Sequence, residues 1–194
     1  MTATPAIRVT DTPAGRPFQG IGVETDCFVF DDANRQCGVN DKDLEMIERR
    51  LRALQPALSR MFVCVDWFNP SLDGRTFDWA APYYAHLVRQ LRLLDSIGTR
   101  VNLVLFNPHP PHVEHVEPLI AAMVALLQRL RDTERLRLVS WVTLYNEPDS
   151  MYLHDSPLAR AVFPADKFPN RPPFPDYVRL NRHFLDLLKE HGLY

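Results

Sequence analysis

One short segment of this 194-residue chain has the composition of a catalytic centre. An apolar run that includes Trp141 leads directly into Asn146, Glu147 and Pro148. A carboxyl held at the end of a strand among apolar neighbours can keep a raised pKa and donate a proton near neutrality. The amide beside it suits a hydroxylated substrate. We therefore predict that Glu147 is a general acid/base; the alternative is a glutamate that caps a loop.

Polar side chains of the same kind follow the three earlier apolar runs of the chain. Carboxylates and amides can hydrogen-bond the hydroxyl groups of a substrate, and a tryptophan ring offers an apolar face to a substrate ring. We predict substrate-binding roles for the residues at these run ends, which are Glu24, Asp26, Asp66, Trp67, Asn107 and His109. Loop capping and surface solvation would explain any single one of them equally well.

Arg60 is a cation within an otherwise apolar run. Such a charge is costly in a strand unless it is paired. A nearby structural carboxylate would meet this need, and Glu24 and Asp66 are the candidates.

These residues are positioned by alternating strands and helices. Four apolar runs predict strands at Ile21–Glu24, Leu58–Asp66, Arg100–Phe106 and Leu138–Tyr145. The last three are nearly continuous in apolar residues, which is typical of strands covered on both faces in a parallel sheet. Each run is followed by apolar residues at helical spacing. The predicted helices begin after Asn40, at Pro82 and at Pro118, and the last one ends near Gly192.

The repeated strand-helix order predicts an α/β fold with a parallel sheet and right-handed crossovers. A doubly wound open sheet and part of a (β/α)8 barrel of the TIM type both fit this order. Glycine fingerprints of the GxGxxG or GxxxxGK type are absent after the strands. Polar residues collect instead at the carboxyl ends of all four runs, where a barrel builds its active site. We therefore favour the first four units of a barrel.

Composition and charge argue against several other classes of protein. The 22 basic and 24 acidic side chains give a net charge of −2, which is no bulk signature of a nucleic-acid or membrane binder. No apolar run approaches the roughly 18 residues of a membrane span, and no secretory signal is visible. The three cysteines form no CxxC pair, which fits a reducing compartment, so we expect a cytoplasmic protein.

Histidines recur every third residue at His109, His112 and His115, a spacing that invites a metal-site interpretation. The prolines between them prevent a helix, so the spacing does not place the rings on one face. Solvated loop histidines are the favoured interpretation, and only His109, nearest the strand end, fits a substrate-binding role. We predict neither a metal nor an organic cofactor.

Residues 18–194 resemble the first half of a retaining glycoside hydrolase of clan A, the cellulase-like (β/α)8 enzymes that include families 5 and 39. The resemblance implies that Glu147 is the general acid/base and that Asn146 hydrogen-bonds the sugar 2-hydroxyl. It implies that Arg60 supports the nucleophile electrostatically and that residues 1–17 are an N-terminal extension. The segments that carry it are Gly20–Glu24, Leu58–Arg60, Phe77–Trp79, Val101–Leu105 and Trp141–Glu147.

In that clan the nucleophile is a second glutamate at the end of strand seven, which four units do not contain. A retaining hydrolase needs two carboxyls about 5–5.5 Å apart. We therefore expect a carbohydrate substrate but negligible activity from the chain alone, with the other half of the barrel missing. The alternatives are a non-catalytic carbohydrate-binding half barrel, or a homodimer of half barrels. An inverting pair of Glu24 and Glu147 is less favoured.

Overall fold

The computed structural model of the chain describes residues 20–106, 116–144, 146 and 174–194. Within these ranges one parallel sheet has the strand order β1-β2-β3-β4. Helices alternate with the strands, so the predicted α/β fold with a parallel sheet of βα units is confirmed. The strands are β1 (Gly22–Glu24), β2 (Leu58–Val63), β3 (Arg100–Leu105) and β4 (Val139–Thr143).

The helices of the described ranges are α1 (Asp32–Gln36), α2 (Asp41–Leu54), α3 (Pro82–Ser96), α4 (Val116–Asp132) and α5 (Phe174–Glu190). Helix α2 begins where its cap predicts. The Asn40 side chain accepts the N–H of Lys42 at 3.0 Å, and the Asp43 carboxylate accepts the N–H of Asn40 at 2.9 Å. This reciprocal arrangement satisfies two backbone donors at the helix start. The short helix α1 is not predicted by the apolar spacing.

All four strands are shorter than predicted, β1 and β3 by one residue each and β2 and β4 by three. The run predicted as a strand over Leu58–Asp66 leaves the sheet after Val63, because residues 65–67 wind into a 3-10 turn. The run predicted over Leu138–Tyr145 is a strand over Val139–Thr143. Apolar character continues beyond both strands, so composition alone does not show where the sheet ends.

The helices cover one face of β2. Met61 and Val63 are inaccessible and belong to the core that β2 shares with α3 and α4, whereas Arg60 and Phe62, which alternate with them along the strand, are half-buried. The expectation that the strands are covered on both faces is therefore corrected for β2. We call the side of the sheet opposite the helices, on which Arg60 lies, the open face.

A bulge at Ser140 controls which way the side chains of β4 point. Val139 pairs with Val101, but the residue paired with Asn102 is Trp141 rather than Ser140. In a regular strand Ser140 would lie opposite Asn102, and Trp141 would turn toward the helices. The extra residue therefore keeps Trp141 on the open face.

Candidate functional site

A row of four side chains crosses the open face. The register pairs Glu24 of β1 with Arg60 of β2, Arg60 with Asn102 of β3, and Asn102 with Trp141 of β4. Side chains alternate between the two faces along a strand, so residues paired side by side in a sheet share a face. We call these four residues the open-face row. It consists of three hydrogen-bonding side chains and an aromatic ring at one end.

Arg60 is the centre of this row. Its Nη1 donates to Oε2 of Glu24 at 2.9 Å, and its Nη2 donates to Oδ1 of Asn146. Its guanidinium carbon lies 4.5 Å from the centroid of the Phe62 ring. Of the two carboxylates predicted as partners, Glu24 forms the ion pair, whereas Asp66 is exposed in the turn after β2.

Asn146 reaches Arg60 because its backbone continues alongside β3. The N–H of Asn146 donates to the carbonyl oxygen of Leu105, the last residue of β3, at 3.1 Å. Arg60 engages the amide oxygen of Asn146, so the amide NH2 group is the part of this side chain that can donate to a bound oxygen. The sheet therefore presents an oriented donor immediately before Glu147 in sequence.

Asp26 lies just after β1, at the same end of the sheet. Its Oδ1 accepts the backbone N–H of Phe62 at 2.9 Å. Burial raises the pKa of Asp26, and the Glu24 carboxylate raises it further, whereas the Phe62 N–H and the Arg60 guanidinium act in the opposite direction. Asp26 is thus a fixed carboxyl with an increased affinity for protons beside the Arg60–Glu24 pair.

Trp67 does not join this cluster. Its side chain is only 8% exposed and belongs to the core. The ring stacks on Tyr83 with centroids 5.4 Å apart and meets the edge of Phe28 at 5.3 Å. This placement gives Trp67 a packing role and lends no support to the prediction that its ring binds a sugar.

Three predicted site residues lie outside the described residues: Glu147, Asn107 and His109. His112 and His115 lie outside them as well. The acid/base role of Glu147 and the sugar contacts of the other two therefore stay predictions.

The open face also carries residues that sequence reasoning did not single out as ligands. Trp141 is 46% exposed there, with the Arg100 guanidinium 5.1 Å from its ring centroid. The Thr143 hydroxyl donates to Oδ1 of Asn102 at 3.3 Å. Asn102 and Thr143 could have been recognised from the sequence in the same way as Arg60, because each is a polar residue within a largely apolar run.

Two thiols near this end of the sheet are poor nucleophiles. Burial raises the pKa of the Cys27 thiol to about 12, and it does the same for Cys64. A cysteine acts as a nucleophile through its thiolate, which is scarce near neutrality at such a pKa. Neither Cys27 nor Cys64 is therefore a candidate nucleophile.

Among the described residues, no group of three or more His, Cys, Asp or Glu side chains could hold a metal ion. In the same ranges, no helix is long and apolar enough to cross a lipid bilayer. No protein-family model matches this chain, and no curated protein matches its sequence.

This arrangement suits a ligand with several hydroxyl groups. Carboxylate oxygens accept hydrogen bonds, whereas guanidinium and amide N–H groups donate them. An exposed indole beside them offers a flat apolar surface of the kind against which a sugar ring can lie. The described residues thus offer both polar and apolar contacts to such a ligand.

Proposed function

We propose that this chain forms the acid/base half of a retaining glycosidase that cleaves a β-linked glycan or glycoside. The observation that carries the proposal is the pair of hydrogen bonds from Arg60 to Glu24 and Asn146. These bonds join β1, β2 and the end of β4 at the residue before Glu147. The resemblance to the clan A hydrolases assigns Arg60, Asn146 and Glu147 to the active site.

In the proposed reaction Glu147 acts twice. First a carboxylate nucleophile attacks the anomeric carbon, the glycosidic C–O bond breaks, and Glu147 gives its proton to the departing oxygen. Then the Glu147 carboxylate takes a proton from water, the water oxygen bonds to the anomeric carbon, and the ester to the nucleophile breaks. The nucleophile comes from outside these 194 residues.

Asn146 and Arg60 have supporting roles in this proposal. The Asn146 amide donates to the sugar 2-hydroxyl, a contact that strengthens in the transition state of such reactions. Arg60 fixes the orientation of that amide, and its positive charge stabilises the nucleophile carboxylate in its ionised form. Glu24 in turn holds the guanidinium in place.

The fold that we propose for the complete enzyme is a (β/α)8 barrel. Support comes from β2, which buries Met61 and Val63 under the helices and leaves Arg60 and Phe62 half-buried on the open face. In a barrel, that face becomes the interior when four further strands close the sheet. The carboxyl ends of the strands, where Asn146 lies, would then form the rim of the active site.

A second candidate function is carbohydrate binding without catalysis. One observation favours it: two of the described carboxylates at this end of the open face already have partners. Glu24 is paired with Arg60, and Asp26 accepts the N–H of Phe62. Carboxylates held in this way suit ligand binding better than proton transfer.

Sugar binding tests the part that both candidates share. β-Linked oligosaccharides of different configuration are titrated against the chain, and the fluorescence of the exposed Trp141 reports binding. We expect Arg60→Gln to weaken binding about tenfold or more, because it removes charge-assisted hydrogen bonds. The matched control is Arg92→Gln, which breaks a 2.9 Å ion pair with Glu134. Unchanged affinity in Arg60→Gln, or no binding by the wild-type chain, would refute both candidates.

Kinetics in a completed barrel separate the enzyme from the binding protein. Glu147→Ala should slow natural glycosides by a factor on the order of 10²–10⁴, the usual size of general acid/base catalysis. It should spare the first step with activated aryl glycosides, and azide should restore turnover with retained configuration. Equal slowing of both substrates without azide rescue would contradict the acid/base role. Absence of turnover in the wild-type barrel would leave the binding candidate.

A further inference from the structure

Apolar exposure in the described structure is concentrated at the two ends of the βα series. The middle helices bury their apolar faces, and Leu91 of α3 and Leu126 of α4 are inaccessible. On α2 the corresponding face is incomplete, because Leu51 is half-buried and Leu54 is 49% exposed. Leu188 of α5 is half-buried as well. Apolar surface that is left at the ends of a layered fold marks places where another polypeptide can pack.

The outer edge of β1 presents a small apolar ridge. Val23 is paired with the buried Ser59, so it points to the helix-covered side. Ile21 points the same way, because it lies two residues earlier and its carbonyl oxygen still accepts the N–H of Ala57 at 3.0 Å. Ile21 is 60% exposed. Among the described strands β1 pairs with β2 alone, so its other edge offers backbone groups as well as this ridge.

An apolar groove runs beside the opposite edge of the sheet, between β4, α4 and α5. Its volume is about 740 Å³. Arg131 ties the two helices together here, donating to the carbonyl oxygens of His191 and Gly192 at 3.0 Å each. Among the described strands β4 pairs with β3 alone. The apolar residues that line the groove include Leu127, Leu130, Val142, Phe184 and Leu188.

We propose that β1 of a second copy of this chain docks along the outer edge of β4, with its Ile21 and Val23 in the groove. The ridge lies on the helix side of the sheet, and so does most of the groove, whose lining reaches Trp141 of the open-face row only at the strand itself. One docked strand can therefore pair with β4 and fill the groove. The three residues of β1 match the three of β4 that follow the bulge. A second copy is the favoured occupant because this one chain carries both halves of the contact.

In a two-fold symmetric dimer the contact between β1 and the partner's β4 is formed twice. Each copy has one ridge and one groove, so a two-fold axis pairs β1 with β4 of the partner at both junctions and leaves no described edge unpaired. The assembly is a closed parallel sheet of eight strands, and the open faces of the two copies enclose its interior. Each copy supplies the four strands that close the other's sheet, so a nucleophile-bearing half can complete the proposed enzyme only by replacing the second copy. The inference goes beyond the proposed reaction, and its test does not depend on that reaction.

Sedimentation of the 194-residue chain over a micromolar concentration range tests the assembly. We expect a species of twice the 22.4 kDa chain mass. Ile21→Lys places a charge in an apolar groove at both junctions and should raise the dissociation constant at least about a hundredfold. The control Ala85→Lys adds the same charge at an exposed position on α3 and should leave the dimer intact. A wild-type monomer throughout this range, or a dimer insensitive to Ile21→Lys, would overturn the proposal.

A mixing experiment tests the pairing itself. Leu188→Glu places a charge in the groove and should also give a monomer. If the Leu188→Glu chain does not fold, Tyr194→Glu is used in its place, because Tyr194 is an exposed residue of the groove. An equal mixture of the Ile21→Lys and Leu188→Glu chains should recover dimers. One junction is then wild type, and the other holds a Lys–Glu pair. Failure to recover dimers from two folded variants would overturn the pairing. No sugar is used, so a negative result leaves the glycosidase proposal to its own titrations.

Discussion

Arg60 has three neighbours that offset the cost of a guanidinium in an apolar strand: the Glu24 carboxylate, the Asn146 amide oxygen and the Phe62 ring. The Arg60 and Glu24 side chains are 43% and 48% exposed, so water screens their attraction. Ion pairs of this kind contribute at most about 1 kcal/mol to stability. The main effect of the pair is therefore on orientation, since it holds the guanidinium where it meets Asn146.

Glu24→Gln should consequently affect binding more than folding. We expect the free energy of unfolding in urea to fall by no more than about 1 kcal/mol. A similar loss is expected for the control Glu48→Gln, whose carboxylate pairs with Arg52 at 2.8 Å and is equally exposed. Sugar affinity should fall in Glu24→Gln alone. Equal affinity in the two variants would show that the Glu24–Arg60 pair has no role in the site.

Asp26 predicts a pH dependence of stability with a definite sign. Its pKa is raised in the folded state, so the folded protein binds this proton more tightly than the unfolded chain does. The resulting stabilisation is complete below the unfolded pKa and is lost as the pH rises through the folded one. Asp26→Asn keeps an acceptor for the Phe62 N–H and carries no charge. Its stability relative to wild type should therefore increase from about pH 3 to pH 7.

Asp73→Asn provides a control of opposite sign. The backbone N–H of Thr76 is the main cause that holds the pKa of Asp73 well below its usual range, with the Thr76 hydroxyl and the Asn69 amide adding to it. The stabilisation by this carboxylate is present above the unfolded pKa and is lost as the pH falls. Asp73→Asn should therefore lose stability relative to wild type over the same rise in pH. Denaturant unfolding at several pH values measures both trends, and parallel trends would contradict the assignment for Asp26.

At the scale of the elements, helix α2 depends on its cap. Asn40→Ala removes the acceptor for the Lys42 N–H and should lower the free energy of unfolding by about 0.5–2 kcal/mol. The control Lys42→Ala leaves that backbone donor in place and should change stability by less than about 0.5 kcal/mol. Urea unfolding curves give both values. An Asn40→Ala loss no larger than that of the control would mean that the cap does not stabilise the helix.

Two helix starts could be predicted because their signals are local, whereas the start predicted at Pro118 lies two residues inside α4, which begins at Val116. Asn40 and Pro82 act within one turn of the helices that they begin. Strand ends are harder to predict, because the apolar run after Val63 continues into a 3-10 turn with the same composition. The bulge at Ser140 could not be predicted at all, since it exists only in relation to β3.

The candidate site was predictable in part for the same reason. That Arg60 needs a carboxylate follows from its charge within an apolar run. Which carboxylate it meets depends on the register that places Glu24 beside it. The same register brings Asn102 and Trp141 into one row, and no local pattern shows that. Trp67 has the residue type of a sugar platform, but the turn after β2 directs it into the core.

At the scale of the whole molecule, apolar exposure at the two ends predicts how the chain responds to a hydrophobic dye. If the ends cover each other in a dimer, then separating the copies uncovers Ile21, Val23 and the groove beside β4. Ile21→Lys should therefore bind more anilinonaphthalene sulfonate than wild type at equal chain concentration. Dye fluorescence measures this, with Ala85→Lys as the control. Equal fluorescence in all three chains would indicate that these ends stay exposed in every state.

The bulge at Ser140 also determines where the length of this chain can change. Losing one residue from a strand normally reverses the face of every residue that follows. Loss of Ser140 would only remove the bulge, because Val139 and Trp141 already pair with the consecutive residues Val101 and Asn102. Loss of Val142, in contrast, would turn Thr143 toward the helices and would reverse the face of each residue after it. If a related sequence is one residue shorter in β4, a gap placed at Ser140 keeps the side chains of the open-face row on the same face. A gap placed after Trp141 moves the residues that follow to the opposite face.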